Sequence, residues 1–153
     1  MILYRISKEA YANDLTGEGA RRFGGRWNSK GTPVLYTAIS AALATLELLV
    51  QTPLNILPKN LALIEIDCPD NTIIQKIEPE DYPDDWNRYP GPKSCAEIGD
   101  EWCRQSSAPA LMLPSVIIPI ISEFNIILNP LHPDFKNISI KKISPYHLDP
   151  RLR

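Results

Sequence analysis

The chain has 153 residues, 44 % of them apolar and 22 % charged, with a formal net charge of −2 at pH 7. That is the size and make-up of one globular domain with its own core, and it excludes a disordered tail. The charge is uneven: residues 1–31 hold six Lys/Arg against three acids, and residues 65–101 hold eleven acids against three bases. A basic N-terminal third suits a small anionic ligand. The acidic middle reads as solvated surface and argues against a nucleic-acid footprint, which needs a continuous basic face.

Met1–Arg5 reads as a first strand rather than a signal peptide, and Leu3–Ser7 is its expected extent, followed by a helical turn near Lys8–Ala12. Gly17–Thr32 carries five of the seven glycines and no apolar periodicity, so a long functional loop is expected there. Pro33–Thr37 is strand-like, with Pro33 first, where it costs no ladder bond. Ser40 is a good N-cap for a helix that ends near Gln51, before Pro53. Leu61–Asp67 and Thr72–Ile77 read as strands joined by the turn Pro69-Asp70-Asn71. Glu78–Pro92, acidic and proline-rich, reads as surface loop with one helical turn. Lys93–Gln105 fits a helix with Ala96, Ile98, Trp102 and Cys103 inward. Ala110–Leu113, Val116–Ile120, Asn125–Leu128 and Ile138–Ile143 complete the set of expected strands. The order predicts a single α+β domain over residues 1–153, with its site in a cleft between sheets.

The longest apolar runs, around Ala41–Val50 and Val116–Ile121, are too short to span a bilayer. Cys68, Cys95 and Cys103 are odd in number, form no Cys-x-x-Cys, and lie far from His132 and His147. They predict buried or half-buried thiols in a reducing, cytoplasmic setting and no metal site. Ser115 lacks Gly-x-Ser-x-Gly surroundings, so a hydrolase nucleophile is not expected.

Between Ser40 and Gln51 stand eleven uncharged residues and one acid, Glu47. A helix apolar on every side is normally buried, and an ionised carboxylate there needs a partner or a polar cavity. Gly24-Gly25-Arg26-Trp27-Asn28 supplies glycines that let a ligand approach the backbone and a guanidinium matched to phosphate or carboxylate. Tyr36, eleven residues before Glu47, reaches toward the same space or simply packs on the core. Arg5 shares a face with Leu3; if Leu3 is in the core, Arg5 needs an anion. Ser115, a hydroxyl before an apolar run, must bond either backbone or ligand.

Tyr4-Arg5, Gly17–Asn28, Leu35-Tyr36-Thr37-Ala38, the Ala44–Leu48 helix around Glu47, Leu113-Pro114-Ser115-Val116 and Asn125–Pro133 together resemble the RES-domain family, in order and over nearly the whole chain. The resemblance implies a fold similar to the ADP-ribosyltransferases and the toxin of a bacterial type II toxin–antitoxin pair. Its substrate would be NAD, depleted by hydrolysis or phosphorolysis of the nicotinamide–ribose bond, with no other cofactor. It also implies a helix-turn-helix (Xre-type) antitoxin that occludes the active site, with DNA met only through that partner and no membrane contact. Transferred to this sequence, Glu47, Tyr36 and Arg26 are the expected catalytic residues. Arg5, Arg26, Asn28, Tyr36 and Ser115 are expected to bind the substrate, Ser115 at its nicotinamide end. A mono-ADP-ribosyltransferase of the same class and a non-catalytic binding module with a buried ion network are the alternatives.

Overall fold

The computed structural model describes residues 1–52, 56–119 and 122–152. Seven strands form one mixed sheet: β1 (Ile2–Lys8), β2 (Leu35–Ala38), β3 (Leu61–Asp67), β4 (Ile74–Lys76), β5 (Ala110–Pro114), β6 (Phe124–Leu128) and β7 (Ser139–Tyr146). Their spatial order is β4-β5-β6-β2-β1-β3-β7, and only β4 and β5 run parallel. The expected α+β architecture is what the chain adopts. A single sheet replaces the two that were expected, but it is nearly divided. β1 and β2 share one pair, Tyr4 with Ala38, whereas β1 and β3 pair along seven residues. Beyond that one pair, β1 and β2 diverge, so the sheet is held together there by a single rung.

Strand alternation assigns the side chains to two faces. Leu3, Leu35, Ile64, Ile66, Ile126 and Leu128 make the main core on one face. On the other, Trp27, Val34, Trp102, Leu111, Leu113 and Ile127 form a second cluster under α3 (Lys93–Gln105), and Ala38, Leu43 and Ala44 a third under α2 (Ala41–Gln51). Both helices have their expected bounds, and α2 is capped as expected, the Leu43 amide donating to Ser40 Oγ at 3.0 Å. Pro53, just beyond α2, and Ile120 lie outside the described residues.

Two expectations are corrected. Gly17–Thr32 contains a helix, α1 (Glu18–Phe23), which buries none of its residues and so shows no apolar periodicity; Glu18 instead pairs with Arg21 and Arg22 one turn on. Val116–Ile118 bends rather than extending as a strand, because Ser115 Oγ captures the Ile117 and Ile118 amides, both at 3.2 Å. The turn after Pro69 forms as expected, and the runs it joins part within the sheet: β3 lies between β1 and β7, and β4 lies at the far edge beside β5.

Candidate active site

Glu47 projects from α2 toward the sheet and is half-buried. Asn125 Nδ2 donates to its Oε1 at 2.6 Å, and Ser115 Oγ reaches the same oxygen at 3.4 Å. No donor reaches Oε2 among the described residues, and no cation forms an ion pair with this carboxylate. Asn125 lies in a row running across four strands: Tyr4, Ala38, Asn125 and Leu113 are cross-strand partners in turn. α2 is fixed independently of Glu47. Thr45 Oγ1 donates to the Ala41 carbonyl at 2.7 Å, so the Tyr146 hydroxyl, 2.6 Å away, donates to Thr45.

The Gly24–Asn28 segment forms a second polar cluster on this face. Tyr36 is half-buried, with its hydroxyl turned inward: it accepts from the Trp27 amide at 3.0 Å and donates to Asn28 Oδ1 at 2.8 Å. Burial pushes its phenol well above the usual range, so it stays protonated and able to donate. Asn28, 1 % exposed, donates through Nδ2 to the carbonyls of Ala20, Ser29 and Thr32. Gly25 has no room for a side chain, since a Cβ would stand 2.6 Å from the Tyr36 hydroxyl. Gly99 of α3 lies directly against the Trp27 carbonyl, leaving no space there for a Cβ either. Asp100 accepts from the Ser29 amide at 2.9 Å. Burial alone would raise that carboxyl, but hydrogen bonds from Ser29 and Thr32 outweigh it and hold it below its ordinary range.

Both arginines spend their bonds on neutral acceptors. Arg26 Nη1 donates to the carbonyls of Trp86 and Arg88, each at 2.7 Å, and so ties down the acidic Glu78–Pro92 segment to which the sequence assigned no role. Arg5 Nη1 donates to the Asp14 carbonyl at 3.1 Å. Desolvation lowers the Arg5 pKa, partly offset by the Asp14 carboxylate. Neither guanidinium forms an ion pair among the described residues.

The structure thus joins Glu47 with Ser115 and joins Tyr36 with Asn28. It does not bond Arg5 or Arg26 to Glu47, and Arg5 shares the face of Leu3 and Ile64 rather than that of Tyr4. Asn28, expected to touch the ligand, is buried, with Oδ1 accepting from Tyr36 of β2 and Nδ2 donating to the carbonyls of Ala20, Ser29 and Thr32. Ser115 was expected at the nicotinamide end, yet its hydroxyl hydrogen is directed at Glu47. Asn125 was missed, because an amide in the run Phe-Asn-Ile-Ile-Leu gives no alternating signal. Its one mark is a polar side chain between Ala38 and Leu113, visible only once the register is known.

Residues 2–149 match the RES domain family. The chain belongs to the RES family. Full-length relatives agree with that assignment. A "Toxin Res" of Photorhabdus laumondii is 41 % identical over 155 residues, spanning 99 % of this RES domain chain and 97 % of that protein. Another "Toxin Res", from Yersinia enterocolitica, is 38 % identical over 156 residues and the whole of both chains. A "Prs ADP-ribosylating toxin" of Sphingobium sp. is 37 % identical over 154 residues, covering 97 % of this chain and 94 % of that one. The fold is shared with a chain in the crystal structure of the M. tuberculosis MbcT–MbcA toxin–antitoxin complex. There the TM-score is 0.74 at 20 % identity, over 99 % of this chain and 85 % of that one. This is a RES toxin domain, and among its described residues no helix is long and apolar enough to cross a membrane.

Proposed function

We propose that this RES domain is the toxin of a toxin–antitoxin pair and cleaves the nicotinamide–ribose bond of NAD. The observation that carries the reading is the state of Glu47: a half-buried carboxylate held through one oxygen, with no cation paired to it among the described residues. A fixed, uncompensated negative charge is what a developing sugar cation requires. As the C1′–N bond breaks, its electron pair leaves with neutral nicotinamide and positive charge builds on the ribose, as in glycoside hydrolysis. Oε2 of Glu47 would accept a hydrogen bond from a ribose hydroxyl and face that charge. Water, or inorganic phosphate, then adds at C1′ and loses a proton to solvent. Arg26, which forms no ion pair among the described residues, would supply the attraction for the diphosphate through nitrogens other than the Nη1 that holds the Trp86–Arg88 loop, whereas Arg5, on the opposite face of the sheet, would hold the turn at Asp14. Tyr36, rather than touching the reacting atoms, would shape the loop that presents Arg26.

The test is nicotinamide release from NAD by the purified chain, followed chromatographically, with Glu47→Gln beside it. Release by the wild type and loss in the variant support the reading. Equal release by both would remove Glu47 from the chemistry. A second reading, transfer of ADP-ribose to a protein, is favoured by the full-length relative named as an ADP-ribosylating toxin. NAD labelled in its adenylate, incubated with bacterial lysate, separates the two: label on protein indicates transfer, label in free ADP-ribose or its phosphate indicates depletion. The partner we propose is a helix-turn-helix antitoxin that covers Glu47. That is tested by whether co-purified antitoxin abolishes nicotinamide release.

A further inference from the structure

We infer that Asn125 is a positioning residue for Glu47, and that its amide divides the labour of the two carboxylate oxygens. The inference rests on the NAD-cleaving reading and adds to it which oxygen faces the sugar and what holds it there. The 2.6 Å bond from Asn125 Nδ2 is the shortest contact Glu47 makes, and it ends on Oε1. Ser115 Oγ stands 3.4 Å from the same oxygen, itself anchored by the Ile117 and Ile118 amides. Asn125 is in turn fixed by the sheet, paired with Ala38 on β2 and Leu113 on β5, so the donor is set by two ladders rather than by a loop. Both donors converge on Oε1 and leave Oε2 as the acceptor for the ribose.

An amide suits this place for a specific reason. It donates to the carboxylate without adding charge, so Glu47 is oriented while its negative charge stays whole. A lysine or arginine there would orient Glu47 equally well and cancel the charge the reaction uses. A second carboxyl would compete for the same proton, since two such groups at this spacing cannot both ionise freely.

That competition supplies the test. Asn125→Ala removes the donor and is expected to lower kcat for NAD about 10- to 100-fold, the usual effect of losing a hydrogen bond to a charged group, with a smaller change in KM. Asn125→Asp is expected to be nearly inactive at pH 8. Its activity should return in part toward pH 5, where the pair retains one proton and the introduced carboxyl donates it to Glu47. A residue needed only for folding would give no such acid-side recovery. Circular dichroism melts show that each variant is folded before its rates are compared.

Asn125→Ala turning over like the wild type, or Asn125→Asp following the wild-type pH profile, overturns the inference. Wild-type protein that leaves NAD intact overturns instead the reading on which it rests, so the two failures are distinguishable.

Discussion

Two polar clusters lie on the same face of the sheet, and they differ in how completely their hydrogen-bonding capacity is used. Around Asn28, Nδ2 serves three carbonyls, Oδ1 accepts from Tyr36, and the Tyr36 oxygen also accepts from the Trp27 amide. Around Glu47, two donors crowd one oxygen and the other receives none among the described residues. Asn28 is sealed, whereas Glu47 is half-open. Buried polar groups in folded proteins are normally paired, so a saturated cluster needs no explanation beyond architecture. A charged group left partly unsatisfied and uncompensated calls for a ligand or a reaction.

The comparison breaks first at Glu47. Glu47→Gln should cut NAD turnover about a hundredfold or more while leaving the melting temperature nearly unchanged, because the site gives up charge and not packing. Full turnover, or collapse of the fold, would place this group with the architecture. Asn28→Ala should do the opposite, costing about 2 kcal/mol in urea unfolding by stranding buried carbonyls and the Tyr36 hydroxyl. Turnover lost without that destabilisation would move Asn28 into the site.

Arg26→Ala sharpens the boundary, since this residue lies in the Gly24–Asn28 segment yet is proposed to hold the substrate on which Glu47 acts. The expectation is a KM for NAD raised about tenfold, the effect of losing a charge-assisted contact, together with faster proteolysis near Trp86–Arg88 as the loop loses its anchor. Unchanged kinetics with a loosened loop would leave the diphosphate to other residues.

The smallest effect concerns Asp100. Its folded pKa is depressed, so the stability it contributes is present above the unfolded pKa, near 4, and is lost as pH falls through the folded value. Wild-type unfolding midpoints should therefore drop in the acid range below about pH 4. Asp100→Asn should show a shallower drop there, measured by denaturant titration at a series of pH values.

Much of this was readable from residue order. The Ser40 cap and the uninterrupted Ala/Leu run mark α2, and the lone Glu47 within it marks the site. Yet the expectation that an apolar helix is buried on all sides does not hold: α2 buries only Leu43, Ala44 and Thr45, and Val50 is 61 % exposed. Polar α3 buries Cys95, Ala96, Gly99 and Trp102. Hydrophobic content did not rank the two helices, because burial depends on which elements the fold brings against each face. Arg26 shows a second kind of shortfall. Its residue type suggests an anion, but its nearest acceptors are backbone carbonyls sixty positions away, and no local pattern encodes those.

By itself the sequence determined most of the strands, the limits of α2 and α3 and the identity of the one acid in an apolar helix, since caps, periodicity and isolated charges are local properties. Only the tertiary structure decided that Asn125 and Ser115 meet that acid on a single oxygen, and that Asn28 and Tyr36 close on each other. The two pairings with Glu47 join residues 68 and 78 positions apart across α2, the bend after β5 and strand β6. Strand register, set by the packing of the whole sheet, fixes which side chains face each other over such separations.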